Sequence, residues 1–261
     1  MFPIYSIAKT FLAQCVLELG FQLDEPIGNY AKAIPNAFAD RTIESLLNHT
    51  SGIADYSELS QYHQAVERRE PAWSREELFK NTQSLNQRRQ GFHYSNIGYL
   101  LLRIAVEEQT GLSMFQAFEK FVLQPLAIEG FSEWENESDL VPNYDPKWVY
   151  SGTFLATRES VIAGYLKVIQ RRDQQGLLGT GMTAVNFPDS GFENPHYGFG
   201  VMCDVSTSTG KPQLVGHGGG GPVFAHMILV NTQNWRTEIE TSRGELNQRD
   251  AILRLREAIA D

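Results

Sequence analysis

Ser6 and Lys9 stand three residues apart in the run Ser6-Ile7-Ala8-Lys9, a spacing that puts both side chains on one face of a helix. A serine hydroxyl is a weak nucleophile and needs a base. A lysine can be that base when burial strips water from its ammonium and lowers its pKa toward neutrality. Ser6 in a first helical turn would also set its backbone N–H at the positive end of the helix, where an oxyanion is stabilised. Taken alone, the run reads more readily as an ordinary helix start with serine as its cap.

A second cluster is Phe92-His93-Tyr94-Ser95-Asn96. Tyr94 could exchange protons with Ser6 or with a leaving group if a nearby cation lowers its pKa, and the Asn96 amide could hold both Lys9 and a substrate carbonyl. The plain alternative is a turn with asparagine capping the next helix. The third cluster is Gly216-His217-Gly218-Gly219-Gly220-Gly221-Pro222. A strand crowded with glycines is a poor strand unless something must approach its backbone closely. An edge strand lining a cleft fits, with His217 facing substrate, Gly219 allowing the approach and the backbone N–H near Gly220 as a second oxyanion donor. The alternatives are a flexible loop or a phosphate-binding turn, and the latter lacks the Lys-Ser/Thr that follows such turns.

These residues need elements to hold them. Apolar residues at Ile7, Phe11 and Cys15, with Leu12, Val16 and Leu19, predict a helix from Ser6 to Leu19 that stops at Gly20. Thr42 opens a helix that ends near Ser51-Gly52, and helices are predicted over Ile97–Gln109, Ser113–Val122 and from Thr157 through Ile169. The stretch from Ile53 to Gly91 is polar and helix-prone. Glu133–Lys147, rich in Asn, Pro and Asp, reads as an acidic surface loop able to cover a cleft. Strands follow at Tyr197–Asp204, Gln213–Gly216, Ala225–Asn231 and Arg236–Thr241, and an amphipathic helix at Gln248–Ala260. This order predicts an α+β domain over residues 1–261, with an antiparallel sheet mainly over 195–245 and a helical subdomain over about 53–150.

Composition narrows the function classes. A formal net charge of −9 repels phosphate backbones and anionic membranes, so nucleic acid is not an expected partner. No apolar run reaches the roughly 18 residues of a membrane span. The two cysteines, Cys15 and Cys203, make no disulfide framework and read as small core residues. The six histidines show no zinc-ligand spacing, so no metal and no cofactor are expected.

The three clusters in this order resemble the signature motifs of the serine β-lactamase and penicillin-binding protein family, which includes class C β-lactamases, D-Ala-D-Ala carboxypeptidases, D-aminopeptidases and related esterases. The carrying residues are Ser6-x-x-Lys9, Tyr94-x-Asn96 and His217-x-Gly219. The flanks are similar too: Ser6 to Pro26, Thr42 to Gly52, Tyr94 to Leu102, Gln124-Pro125-Leu126 and Gly152 to Glu159. The resemblance implies the β-lactamase/transpeptidase-like fold, a cleft between sheet and helical subdomain, and a covalent acyl-serine intermediate on a small ester, D-amino-acid amide or β-lactam-like substrate.

Two departures shape the expectation. Class C β-lactamases carry lysine where this chain has His217, which favours ester or peptide hydrolysis over strong β-lactamase activity. The family also has a helix and two strands ahead of the nucleophile helix, and here five residues precede Ser6. Without those strands, Arg236–Thr241 is expected to become a sheet edge open to self-association. Phe2-Pro3-Ile4 resembles the family's run into the nucleophile helix, which points to a start upstream. The chain as given, without a leader, reads as cytoplasmic, and as periplasmic or secreted if its start lies upstream. The alternative reading of function is a truncated or non-catalytic member that binds ligand or partner without turnover.

Overall fold

The structure is a computed structural model and describes residues 1–85, 89–134, 141–187 and 190–260. The first half carries β1 (Phe2–Pro3), α1 (Ala8–Glu18), α2 (Ile43–Leu47), α3 (Ser60–Glu67), α4 (Arg75–Thr82), α5 (Asn96–Thr110) and α6 (Met114–Phe118). It continues through β2 (Phe131–Glu133), β3 (Phe154–Ala156), α7 (Arg158–Gln174), β4 (Thr183–Ala184), β5 (Pro195–Tyr197) and β6 (Met202–Val205). The last elements are β7 (Pro212–Gly220), β8 (Phe224–Asn231), β9 (Thr237–Arg243) and α8 (Gln248–Ala258).

Local chemistry sets many of the boundaries. Thr42, Ser95, Ser113, Thr157 and Asn247 each accept a backbone N–H from the first turn of the helix they open, which satisfies a donor the helix itself cannot. The Ser113 cap is a full capping box with Gln116. Gly111, at φ 66°, closes α5 in the left-handed conformation that a glycine adopts without strain.

The main sheet is antiparallel in the order β4-β5-β6-β7-β8-β9, and a small sheet pairs β1 and β2 with β3. The alternation of β8 explains the layering. Ile228 and Val230 join the core that also holds Phe11, Val16 and Ile169 of α1 and α7. Met227 and Leu229 point the other way and pack under Ile252 and Leu255 of α8 and Ile259 just after it. One face of the sheet is therefore covered by α1 and α7, the other by α8, and the α+β architecture with an antiparallel sheet flanked by helices is present.

Several expectations need correction. The predicted strand Tyr197–Asp204 is two strands, β5 and β6, because the Gly198 N–H bonds back to Val201 O at 2.9 Å and Gly200 turns at φ 67°. The predicted helix Ser113–Val122 is α6 followed by a π-helical turn over Glu119–Leu123. Of the expected surface loop Glu133–Lys147, residues 135–140 lie outside the described set. Trp134, Val141 and Tyr144, by contrast, are buried, so apolar side chains tie both ends of the loop to the core. The segment expected to form an edge is the terminal strand, β9, bonded to β8. It is not bare, since the Arg158 guanidinium donates to Ile239 O at 3.3 Å and pairs with Glu238.

A buried cation joins the layers. Arg172 on α7 is 1% exposed, and its guanidinium donates to Gln14 Oε1 at 3.0 Å, to Thr10 O at 2.5 Å and to Phe199 O. It thereby ties α1 to the β5–β6 turn. Arg172→Ala would strand those acceptors and leave a cavity, a loss of about 3 kcal/mol or more. For a chain of this size that corresponds to a fall in melting temperature of roughly 10 °C. Thermal denaturation followed by circular dichroism checks this, and an unchanged midpoint would remove Arg172 as the tie.

Candidate active site

Ser6 does not lie in α1 itself. It sits in the 3-10 turn Tyr5–Ile7 that runs into α1, and Tyr5 before it adopts φ 46°. A bulky residue in that conformation stores about 1–3 kcal/mol of strain and persists only when its surroundings enforce it. They do. The Tyr5 N–H donates to Thr153 Oγ1 at 2.8 Å, the Ile4 N–H to Phe154 O at 3.0 Å, and His226 Nε2 to Pro3 O at 3.0 Å. Burial holds the pKa of His226 near 4, so its imidazole is neutral.

The glycines of β7 belong to the same assembly. An added Cβ at Gly219 would lie 2.5 Å from Ile4 O, and one at Gly221 would lie 2.2 Å from the Tyr5 ring. The Ser6 turn thus rests directly on the strand backbone, as a glycine-rich strand allows. The expectation of an edge strand needs refinement. β7 is interior as far as Gly216, where its pairing to β6 ends at Met202, and from His217 to Gly220 β8 is its one strand partner among the described residues. The glycine end of the strand therefore presents a free backbone edge to the cleft.

Lys9 lies in the first turn of α1 and is 1% exposed. Its Nζ is 2.9 Å from Ser6 Oγ, 2.6 Å from Asn96 Oδ1 and 3.4 Å from Ser151 Oγ. It also stands 5.1 Å from the centre of the Tyr94 ring and 5.6 Å from that of Tyr99. Burial lowers its pKa to about 7, against a smaller upward pull from the Asp55 carboxylate. Once deprotonated, the amine has a lone pair that can take the Ser6 proton.

Asp55, which sequence reasoning missed, acts through Asn96. It accepts the Asn96 backbone N–H at 2.9 Å and the Asn96 amide at 2.8 Å. That contact turns the amide so that its oxygen faces Lys9 and leaves one amide hydrogen for a further acceptor. No spacing signal singles out Asp55 in Gly52-Ile53-Ala54-Asp55, and Ser151 was equally hidden.

Tyr94 shares a hydrogen bond with Ser6, yet burial pushes its pKa above the usual tyrosine value, and Asp55 adds to the rise. A cation is nearby, as the sequence reading required for a lowered pKa, but the Lys9 amine faces the ring and desolvation prevails. Tyr94 keeps its proton. His217 is 2% exposed, and both ring nitrogens are engaged, Nε2 with Tyr197 OH at 2.8 Å and Nδ1 with Gly218 O at 2.5 Å. Since Gly218 O can only accept, Nδ1 carries the hydrogen and Nε2 accepts from Tyr197. Burial and the Lys9 charge lower the His217 pKa to about 3, so the ring is a neutral part of the wall. With both nitrogens engaged it has no free donor for a substrate carboxylate.

Ser6, Tyr94, His217 and Gly218 to Gly220 border a cleft of about 530 Å³, together with Phe92, Phe187, Tyr197 and Met202. The first turn of α8 closes one end with Asn247, Gln248 and Arg249. Cys15 and Cys203 are buried elsewhere, and burial pushes their thiols up to about 12. No helix among the described residues is long and apolar enough to cross a membrane.

Comparison with known proteins adds to this geometry. A family model described as Beta-lactamase matches residues 1–260. A penicillin-binding protein of Bacillus subtilis is 23% identical over 99% of this chain, which spans 64% of that relative's length. Among solved structures, a D-stereospecific amidohydrolase from Streptomyces superposes with a TM-score of 0.74 at 22% identity, covering 93% of this chain and 81% of the other. An octameric penicillin-binding protein homologue from Pyrococcus abyssi gives 0.75 at 22% identity over 100% and 66% of the two chains. A D-amino acid amidase from Ochrobactrum anthropi gives 0.73 at 19% identity over 99% and 84%. These likenesses share the fold.

The Lys9 shift makes a measurable statement about stability. The folded chain releases this proton near pH 7, whereas an unfolded chain holds it to about 10.5. Across that window the unfolded state carries the extra proton, so the stability due to this group rises with pH. Urea unfolding of the parent and of Lys9→Met at pH 7 and pH 10 should show the parent gaining on the variant as pH rises. A constant difference would mean that Lys9 titrates normally in the fold.

Proposed function

The chain belongs to the β-lactamase family, and from that premise we propose that it is a serine hydrolase forming a covalent acyl-Ser6 intermediate on a small ester or D-amino-acid amide. The observation that carries this reading is the buried Lys9 amine 2.9 Å from Ser6 Oγ, with a pKa near 7. Neutral Lys9 takes the Ser6 proton as Oγ attacks the substrate carbonyl. The oxyanion forms between the Ser6 N–H and the glycine end of β7 near Gly220. Tyr94, still protonated, gives its proton to the departing alkoxide or amine and regains one from the Lys9 ammonium, which holds the proton taken from Ser6. Water then attacks the acyl-enzyme by the same route in reverse. No cofactor has a part in these steps.

The names of the amidohydrolase and amidase neighbours support a D-amino-acid amide as one substrate class. Arg249, the only charged side chain among the described cleft-lining residues, supports substrates that also carry a carboxylate. Self-association through the β9 edge belongs to the same proposal. It is supported by the strand's terminal position and by the octameric state in the name of the Pyrococcus homologue.

Treatment with a fluorophosphonate followed by peptide mass spectrometry should give an adduct on Ser6, absent in Ser6→Ala. Hydrolysis of a short-chain aryl ester should fall by several powers of ten in Ser6→Ala and nearly as far in Lys9→Ala. In the parent, kcat/KM should rise with pH through about 7 as Lys9 becomes the free base. Full activity in folded Ser6→Ala would defeat the assignment, and a ligand-binding chain without adduct or turnover would support the non-catalytic reading.

A further inference from the structure

The lining of the cleft is of two kinds. One is the glycine end of β7, Gly218 to Gly220, which meets the cleft with its backbone. The other is aromatic, and it stands partly in water. Phe187 is 43% exposed, an unusual position for a large apolar side chain in this molecule. Its ring meets Phe92 edge to face, with centroids 5.6 Å apart and planes at 82°. Phe92 packs in turn on Tyr197 at 5.4 Å and on the buried His49 at 5.9 Å. Phe92 is thereby anchored to a ring cluster that includes Tyr197 and His49, and Phe187 packs on it with much of its own ring in water.

Phe187 and Phe92 give the cleft that holds Ser6 an apolar ring surface on which a flat group can pack. Ring edges and faces attract another aromatic ring beyond simple burial. At the α8 end, Arg249 makes no hydrogen bond or ion pair among the described residues, so its guanidinium is available to an anion. We propose that Phe187 and Phe92 form an aromatic clamp over the cleft that selects substrates bearing an aryl group, with Arg249 favouring those that also carry a carboxylate. This deepens the hydrolase reading and rests on Ser6 as its reacting atom. It makes Phe187 a specificity-determining residue.

Two measurements separate the clamp from the chemistry. The first is calorimetric binding of phenylacetate, acetate and benzyl alcohol, which needs no turnover. Phenylacetate should bind roughly tenfold more tightly than acetate, Phe187→Ala should erase most of that difference, and Phe187→Trp should keep it. Arg249→Gln should weaken phenylacetate and leave benzyl alcohol as before. The second is pH-stat hydrolysis of methyl acetate, methyl phenylacetate and benzyl acetate. The ratio of kcat/KM for the better aryl ester to that for methyl acetate should fall in Phe187→Ala, mainly through KM. Equal binding of phenylacetate and acetate by the parent, or an aryl preference that survives Phe187→Ala, would overturn the clamp. Phe187-dependent binding of phenylacetate with no hydrolysis of any ester would uphold the clamp and defeat the hydrolase reading.

Discussion

Lys9 must be buried to serve as a base, and burying an amine removes the hydration that stabilises its charge. Most of the surrounding structure answers that one constraint. Ser6, Asn96 and Ser151 supply oxygen partners, and the faces of Tyr94 and Tyr99 supply a weaker attraction that does not require an anion. Asp55 supplies the missing negative charge, but only across the Asn96 amide. A carboxylate in direct contact with Lys9 would hold the proton on the amine and raise its pKa. Set one residue back, it limits the fall to about 7, where the proton can leave and return. Asn96 is thus a spacer as much as a ligand: its oxygen faces the amine because its nitrogen is claimed by Asp55.

The nucleophile turn answers a second constraint, that of distance. Ser6 can reach the cleft only if the chain before it lies against β7, and that contact is between backbones. Glycine at 219 and 221 removes the atoms that would collide, and the strained Tyr5 conformation carries the chain from the small sheet into α1. Each feature is unfavourable alone. Glycine weakens a strand, and a tyrosine at positive φ is strained. They persist together because Thr153, Phe154 and His226 hold the turn from three sides.

The imidazole of His217 shows how burial changes what a residue type means. On a solvated strand it would be half charged near neutral pH and a natural contact for a carboxylate. Here Tyr197 and the Gly218 carbonyl use both nitrogens, and the nearby Lys9 opposes a second positive charge. The ring packs the cleft wall, and the exposed cation of the site lies instead on α8, at Arg249.

Much of this was legible in the sequence because it depends on short-range rules. The Ser6–Lys9 spacing follows from helix geometry, the caps at Thr42 and Thr157 from local donors and acceptors, and the β8 alternation from the pleat of a strand, whereas the cap expected at Asn96 is made one residue earlier, by Ser95. The glycines of β7 announced a close approach without saying to what. The rest was hidden because it rests on contacts between residues far apart in the chain. Asp55 meets Asn96 across 41 positions and Arg172 meets Thr10 across 162, and no local pattern encodes such a meeting. Protonation states were hidden for the same reason. Whether Tyr94 loses its proton, or His217 gains one, depends on how much water the folded neighbours exclude. The sequence alone therefore determined which groups are present and which neighbours share a face. Only the tertiary structure decided their charges and partners, because desolvation is a property of the packed interior and not of the chain.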